Sequence, residues 1–383
     1  MADGRQENDA PARFVLSDRQ RLAWLRLYRS DNVGPATFRD LITHCGSAEL
    51  ALEMLPELAA RGGRLKSIRV LPQEDAEAEL DAATRHGARI VGFGEPDYPE
   101  MLRLADPAPP LVTVMGGAAV FSKPCVAVVG ARNASMAGRK MARMLAGDLG
   151  TAGYAIASGL ARGIDAEAHK AALATGTIAV LAGGIDKPYP PENEELLERI
   201  ANSDISAVIT EMPFGWEPRA RDFPRRNRVI AALSLGLVVA EAAMRSGSLI
   251  SARYAGEMGR LVFAVPGSPL DPRAQGANAL IRDGAILTAS AADILEALAP
   301  MRPPESPSPK QAREPEHTLS IPPGDNDRAR VVELLGPTPT DIDDIIDQTG
   351  LTPAQVFLTI LELDLAQRIE RHSGNRVSLL APD

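Results

Sequence analysis

Apolar runs that alternate with helical patterns set the strongest limit on how this chain can fold. Between residues 126 and 265, short runs rich in Val, Ile, Leu and Ala are separated by glycine-containing turns and helix-like segments. Continuous apolar runs are typical of strands buried on both faces of a parallel sheet. Strands that alternate with helices predict right-handed βαβ units, and therefore an α/β fold with a doubly wound, mostly parallel sheet. The six predicted strands are 126–129, 154–157, 177–181, 206–210, 237–240 and 261–265.

Other segments flank this sheet along the chain. Residues 14–85 are predicted to be helical, and a helix, glycine turn and helix within them resemble a SAM-like or helix-hairpin-helix module. The sheet domain is predicted to span 86–299. Eight prolines within 300–323 predict an extended linker. Three short helices and a hairpin within 324–383 predict a winged-helix-like domain.

Charge and composition narrow the classes of function. The 383 residues carry a net charge of −9, which at first argues against a nucleic-acid partner. Eleven Asp/Glu and five Arg within 325–383 give that segment −6, so the remainder is nearly balanced and a local basic cleft can dominate its surroundings. Aromatic residues make up 4%, which disfavours a broad base-stacking platform. Two cysteines, no signal-peptide pattern and no bilayer-length apolar run predict a cytoplasmic protein with no membrane partner.

Five arginines crowd into ten residues with one acidic residue among them. Pro224 is predicted to open an apolar helix at 229–235, because proline is favoured at the first helical position. Cations at a helix N-terminus oppose the helix dipole, so the cluster predicts a bound anion held by guanidinium groups and backbone amides. The open alternative is a solvated basic turn. The arginines are Arg219, Arg221, Arg225, Arg226 and Arg228.

Glycine loops follow the predicted strands at the edge where open α/β sheets bind ligands. The first loop lacks the GxGxxG pattern, and no Asp or Glu ends the second strand, which disfavours a dinucleotide-binding dehydrogenase. Gly130 still allows close backbone approach to a phosphate, and Ser135 can cap the helix that follows. These loops and the arginines together favour a ligand with several phosphates. The further residues of this expected site are Arg132, Gly159, Lys170, Ser246, Gly247 and Ser248.

Candidates for catalysis are few. His169 follows Asp165 by four residues on one predicted helix face, and without an assigned nucleophile this pair is interpreted as structural. No cluster of His, Cys and Asp has metal-ligand spacing, and no cofactor is predicted. Glu241, at the end of the fifth predicted strand, is the single carboxylate placed for chemistry.

Six motifs occur in order between residues 129 and 285. They are VGARNASMAG (129–138), SGLARGIDAEAH (158–169), FPRRNRVIAALS (223–234), EAAMRSGSLISARYA (241–255), FAVPG (263–267) and GANALIRDGA (276–285). Together they resemble the DNA-processing protein A (DprA/Smf) family. The resemblance implies an extended Rossmann-like core that binds single-stranded DNA and is not an enzyme. It also implies a homodimer that protects incoming DNA and loads a RecA-type recombinase during natural transformation, or that handles incoming DNA more generally. One departure is Ala131, where small hydroxylated residues are common in the family.

The resemblance also assigns a basic pocket to this chain. Guanidinium groups and backbone amides there would hold successive phosphates and leave the bases largely unread, so affinity should fall steeply with salt. The positions of this chain that match the family's pocket are Arg132, Ser158, Gly159, Lys170, Arg225, Arg226, Asn227 and Arg228.

Two other readings of the function stay open. A nucleoside-monophosphate phosphoribohydrolase-like enzyme would use Glu241 beside the 246–248 loop, although the paired glycines of that group are missing. A structural adaptor would not need the arginines at all. In the C-terminal domain, the predicted recognition helix at 352–365 contains no Lys or Arg, so we expect it to contact protein and not duplex DNA.

Overall fold

The N-terminal part of the computed structural model is a four-helix domain. The structure describes residues 15–63, 67–301, 322–372 and 374–380. Ser17 and Gln20 cap the first helix reciprocally, and Pro35 occupies the first position of the second. Buried leucines on the first three helices form the centre of this domain. The helices are α1 Asp18–Arg29, α2 Pro35–Cys45, α3 Ala48–Arg61 and α4 Gln73–Arg85.

A nine-stranded sheet forms the centre of the molecule. Its strand order is β1-β2-β6-β5-β4-β3-β7-β8-β9. The last seven strands in this order run parallel to one another, whereas β1 and β2 add antiparallel pairings at one edge. The predicted doubly wound, mostly parallel sheet is confirmed. The strands are β1 Ala88–Gly92, β2 Leu111–Gly116, β3 Cys125–Val129, β4 Ala155–Ser158, β5 Thr177–Val180, β6 Ala207–Thr210, β7 Gly236–Val239, β8 Leu261–Ala264 and β9 Ile286–Leu287.

Helices cover both faces of this sheet. Alternate residues of β3 point to opposite faces: Val126 and Val128 pack with α6, and Ala127 and Val129 pack with α9 and α10. The helices of this domain are α5 Glu100–Arg103, α6 Met136–Thr151, α7 Ile164–Ala172, α8 Glu194–Ala201, α9 Asp222–Ala232, α10 Ser248–Glu257, α11 Gln275–Arg282 and α12 Ala291–Leu298.

The helix that carries the arginine cluster differs from its prediction. It begins at Asp222, two residues before Pro224, and ends at Ala232. A proline is tolerated as the third residue, because the first four amides of a helix have no intrahelical acceptor. Arg225, Arg226 and Arg228 therefore lie two positions further into the helix than predicted.

The C-terminal domain is a winged helix, as predicted. A three-stranded sheet of order β10-β12-β11 packs beside three helices, and the predicted hairpin is the β11–β12 pair. Most of the predicted linker, residues 302–321, lies outside the described residues. The elements are α13 Asp325–Leu334, β10 Thr340–Asp341, α14 Ile342–Thr349, α15 Pro353–Leu365, β11 Ile369–His372 and β12 Arg376–Leu379.

Helix α15 packs against the N-terminal domain. Its Leu358, Leu361 and Leu365 are buried in the same apolar cluster as the leucines of α1 to α3. The Asn32 side chain donates to the Leu365 carbonyl at 2.8 Å, and the Thr37 hydroxyl donates to a side-chain oxygen of Asp364 at 2.9 Å. The helix that a winged helix usually places in the DNA major groove is thus turned toward protein.

Candidate nucleic-acid interface

Arg226 is a buried cation at the carboxyl edge of the parallel strands. Its guanidinium donates to the carbonyls of Gly159 and Val180, which end or follow β4 and β5, and to the Asn227 side chain at 3.0 Å. Burial lowers the pKa of Arg226 to about 10, while the nearby Asp165 carboxylate opposes that change. The group stays charged at neutral pH, so it supplies a fixed positive charge at this edge.

Gly159 makes room for this cation. A Cβ atom at Gly159 would overlap the guanidinium of Arg226, so only glycine fits with the side chain in this position. Asp165 holds the loop by accepting the amides of Gly159 at 3.1 Å and Ala161 at 3.3 Å. Burial raises the pKa of Asp165, against the effect of Arg226 and of these amides. The loop after β4 is therefore fixed around the cation.

Aromatic rings lie beside the charged groups. The guanidinium carbons of Arg132 and Arg226 lie 5.1 Å and 5.8 Å from the centre of the Phe223 ring. Tyr189 meets Phe223 edge to face at 5.7 Å, and 46% of Tyr189 is exposed. Arg162, which is also exposed, completes the rim. The resulting Arg226 cleft is lined by Arg132, Gly159, Ala161, Arg162, Tyr189, Pro190, Phe223 and Arg226.

The structure corrects the expectation that all the arginines of the cluster converge beside the glycine loops. Arg225 donates to Glu211 at 3.3 Å and to the Tyr28 hydroxyl at 2.8 Å. Arg228 donates to Glu211 at 3.1 Å and to the Pro107 carbonyl at 2.6 Å. A helix turns by about 100° per residue, so Arg225 and Arg228 share one face and Arg226 points elsewhere.

Arg219 and Arg221 of the same cluster precede α9 and are exposed. The Arg219 guanidinium lies 4.8 Å from the centre of the Trp216 ring. Among the described residues, neither arginine lines the Arg226 cleft. The sequence cluster therefore divides into three locations.

The phosphate site expected at the first glycine loop is also corrected. Glu241 accepts from the Ser135 amide at 2.9 Å and from the Ser135 hydroxyl, and that hydroxyl accepts from the Gly138 amide at 2.9 Å. A carboxylate of the chain itself thus occupies the anion position at the N-terminus of α6. Gly130 allows Ile164 to pack closely against the loop, since a Cβ atom at Gly130 would lie 2.6 Å from the Ile164 side chain.

The remaining predicted residues lie apart from the cleft. Ser158 is fully buried and donates to the Val128 carbonyl at 2.6 Å, so its side chain cannot touch DNA directly in this structure. Lys170 lies in the second half of α7, 3.8 Å from Glu167, away from the carboxyl edge. Asn227 donates to the Gly247 carbonyl at 3.2 Å and joins α9 to the loop before α10. The Ser246 hydroxyl in that loop lies 2.7 Å from the hydroxyl of Ser248, the first residue of α10.

His169 and Asp165 have separate structural roles. The Thr177 hydroxyl donates to the Ile156 carbonyl at 2.7 Å, so it accepts a hydrogen bond from the N–H of His169 Nδ1 at the same distance. Burial and the charge of Arg226 lower the pKa of His169 to about 3, which keeps the ring neutral. Asp165 instead binds the amides of the Gly159 loop. Both observations support the structural interpretation of this pair.

Sequence reasoning left five residues that line the cleft out of the predicted site, and three of them contribute a charge or an aromatic ring. Phe223 stands in the quoted FPRRNR motif, and Arg162 lies between two glycines after β4, so both had a local signal. Tyr189 lies in the long segment between β5 and α8 and carries no motif. Its place beside Phe223 follows only from the tertiary fold.

Within the part of the chain that the structure describes, no group of three or more His, Cys, Asp or Glu side chains could hold a metal ion. Across residues 15–63, 67–301, 322–372 and 374–380, no helix combines the length and apolar character needed to cross a bilayer.

Comparison with known proteins gives family matches to three regions of the chain. The family model described as DNA recombination-mediator protein A matches residues 89–299. Models for the DprA-like N-terminal HHH domain and the DprA winged helix domain match residues 18–82 and 302–375.

Individual relatives agree with the family models. Protein Smf of Escherichia coli is 35% identical over 313 residues, which cover 80% of this chain and 82% of that protein. DNA processing protein DprA of Streptococcus pneumoniae is 44% identical over 200 residues, covering 52% of this chain and 70% of that protein. The X-ray structure of DNA processing protein A from Streptococcus pneumoniae has a TM-score of 0.56 at 35% identity, covering 69% of this chain and 86% of that one. By its sequence, its three matched regions and its fold, this chain belongs to the DprA/Smf family of DNA-processing proteins.

Proposed function

We propose that this protein binds single-stranded DNA in the Arg226 cleft and does not cut it. The observation that carries the proposal is the meeting of Arg132, Arg162 and Arg226 with two aromatic rings at one edge of the sheet. Guanidinium groups suit phosphate oxygens, and base stacking on aromatic rings tolerates any sequence. A cleft of this composition favours a single strand, whose bases are free to leave the stack.

Two exposed arginines make this proposal testable by salt dependence. For single strands, the slope of log K against log salt changes by about 0.7 for each phosphate contact. Arg132→Ala and Arg162→Ala should each weaken binding of a labelled oligo-dT strand and make the slope shallower by about that amount. Arg253→Ala removes the same charge from an exposed position on α10 and is the matched control. Equal slopes for wild type and all three variants would contradict a phosphate-binding cleft.

The absence of an enzymatic role is part of the same proposal. Glu241 is 8% exposed and is held by the amide and the hydroxyl of Ser135. A carboxylate bound in this way caps a helix and is poorly placed to attack a nucleotide. Release of base or phosphate from nucleoside monophosphates by the wild type, lost in Glu241→Gln, would favour the hydrolase instead.

A homodimer in the cytoplasm is the assembly that we expect to act. Leu287 on the edge strand β9 is 53% exposed, and Leu280 and Ile281 on the neighbouring α11 are partly exposed. An apolar sheet edge of this kind is suited to a second copy. Leu287→Lys should therefore lower the mass measured by light scattering, and an unchanged mass would exclude this edge as the interface.

Loading of a RecA-type recombinase is the proposed outcome of strand binding. The support is the family membership together with a site suited to holding a single strand without reading its sequence. The test is whether the protein speeds recombinase assembly on a single strand that is already coated by a single-strand-binding protein. Arg132→Ala should lose this stimulation in proportion to its lost affinity.

A further inference from the structure

A charged cluster joins the N-terminal domain to α9 beside Arg226, and it is largely buried except for Arg225, whose side chain is 40% exposed. Three arginines and two glutamates surround one tyrosine, and the partners come from α1, α4, α9 and the segment after β6. We name this group the Tyr28 cluster. Its members are Tyr28, Arg29, Glu79, Glu211, Arg225 and Arg228.

Glu211 is the centre of the Tyr28 cluster. Its side chain is 3% exposed, and it accepts from Arg225 at 3.3 Å and from Arg228 at 3.1 Å. Its carbonyl accepts from Arg29 at 2.9 Å. One residue thus binds two arginines of α9 and one of α1. Breaking a buried ion pair leaves an uncompensated charge, so these contacts resist rearrangement.

Tyr28 completes the contact from the N-terminal domain. Its hydroxyl accepts from Arg225 at 2.8 Å, across 197 residues of sequence. Burial raises the pKa of Tyr28 to about 12, so the hydroxyl is neutral at physiological pH. The Arg225 guanidinium therefore holds Glu211 with one nitrogen and Tyr28 with another, which requires the geometry of arginine.

The same helix carries the buried cation of the cleft. Arg226 follows Arg225 directly and points about 100° around the helix, so any rotation of α9 moves both. The Arg226 side chain fits between Gly159 and Phe223 with two carbonyl acceptors, and a small displacement would break those contacts.

We infer that the N-terminal domain contributes to strand binding without touching the strand, because Tyr28 and Glu211 hold Arg225 and are thereby positioning residues for Arg226 on the same helix. Arg225 acts as a clamp between domains and not as a phosphate ligand. This inference rests on the proposed function of the Arg226 cleft, and it assigns the N-terminal domain a role in affinity.

Salt dependence and a conservative variant separate a clamp from a ligand. Tyr28→Phe keeps the ring and the charge, and loss of its hydrogen bond should weaken oligo-dT binding by about three- to tenfold at every salt concentration, with the slope unchanged. Arg225→Lys keeps the charge but cannot reach both partners, so it should bind as weakly as Arg225→Ala. Arg132→Ala is the reference for a lost phosphate contact, because its slope of log K against log salt should be shallower than that of wild type. Arg19→Ala, 85% exposed in the N-terminal domain, is the control and should bind like wild type.

Two outcomes would overturn the inference. One is a shallower slope in Arg225→Ala that Arg225→Lys restores, which is the behaviour of a phosphate ligand. The other is wild-type affinity in Tyr28→Phe despite a lower melting temperature, which is the behaviour of a merely structural contact.

Hydrogen exchange without DNA provides a readout that does not depend on strand binding. The clamp predicts faster exchange of the α9 amides in Tyr28→Phe, with the amides of β3 unchanged. If wild type failed to bind oligo-dT, the proposed function would fall. In that case unchanged α9 exchange would separately refute the clamp, and faster exchange would support it.

Discussion

At the scale of single residues, Gly159 decides whether the cleft can hold its buried cation. A methyl group there would overlap the guanidinium of Arg226, and overpacking of this kind costs about 1–3 kcal/mol. We expect Gly159→Ala to lower oligo-dT affinity by about tenfold, because a tenfold change corresponds to about 1.4 kcal/mol, which lies within that range. The measurement is fluorescence anisotropy with a labelled strand.

Gly147 offers a matched control for this substitution. It lies within α6, and a Cβ there would have no heavy atom within 4 Å. Gly147→Ala should leave strand binding unchanged and stabilise the protein by about 0.5–1 kcal/mol, because alanine loses less backbone entropy in a helix. If both alanine variants bound like wild type, the steric account of Gly159 would be wrong.

His169 should make stability depend on pH. Its pKa in the folded protein is about 3 against an ordinary value of 6.5, so between these values the unfolded chain binds more protons. Stability must then fall as pH is lowered, by about 2 kcal/mol between pH 6.5 and pH 5 at about 1.4 kcal/mol per unit. Urea unfolding of wild type and His169→Gln at both pH values measures this difference.

The comparison of two proteins removes the contribution of neighbouring groups. Asp165 has a raised pKa, so its contribution is lost as pH rises and acts in the opposite direction. It is present in both proteins, as is the charge of Arg226. The difference between wild type and His169→Gln should therefore shrink toward pH 5, and an equal loss in both proteins would contradict a neutral buried His169.

At the scale of elements, Glu241 stabilises the start of α6. Glu241→Ala would leave the Ser135 amide without its acceptor in a part-buried site, which costs about 1–3 kcal/mol. Chemical denaturation should show this loss. Glu257→Ala removes a carboxylate of an exposed i,i+4 pair on α10 and should cost about 0.5 kcal/mol or less. Similar losses in the two variants would argue against the cap.

Local patterns predicted the elements well and the partners of side chains poorly. Apolar runs and glycine turns gave the six central strands, because burial on both faces leaves its mark in consecutive residues. The extent of α9 was missed, since Pro224 was expected at its first position. The sequence alone could not show that Arg225 meets Tyr28 across 197 positions, or that Glu241 meets Ser135 across 106. Such contacts depend on strand order and domain packing.

The Arg226 cleft was also predicted only in part from the sequence. Arg132 and Gly159 were predicted from loops after neighbouring strands, because the carboxyl ends of parallel strands meet at one edge. The crevice between β3 and β7, where the strand order changes direction, is instead occupied by Glu241. The cleft therefore lies over β4 and β5, a displacement that follows from a contact the sequence does not reveal.

At the scale of the whole molecule, the docking of α15 on the N-terminal domain predicts the behaviour of the winged helix. Asp364 accepts from Thr37 at 2.9 Å and from Arg371 at 2.9 Å, and Arg371 also pairs with Asp40 at 2.8 Å. A Cβ at Gly62 would overlap the Glu362 carbonyl, so the two backbones lie in close contact. In the intact chain, the α15 amides should exchange with solvent as slowly as those of α3.

Loss of one carboxylate should loosen this contact between domains. Asp364→Ala removes the acceptor of two donors, and hydrogen bonds to charged groups contribute about 1.5–3 kcal/mol each. Hydrogen exchange should become faster in α15 and in the first turn of α2, with the large sheet unchanged. Asp347→Ala, an exposed position on α14, removes the same charge from the same domain and should leave exchange as in wild type. Because α15 contains no Lys or Arg, the loosened variant should gain no affinity for duplex DNA in an anisotropy titration. Duplex binding that appears only in Asp364→Ala would show that docking conceals a DNA-binding surface, and would refute the assignment of α15 to protein contact.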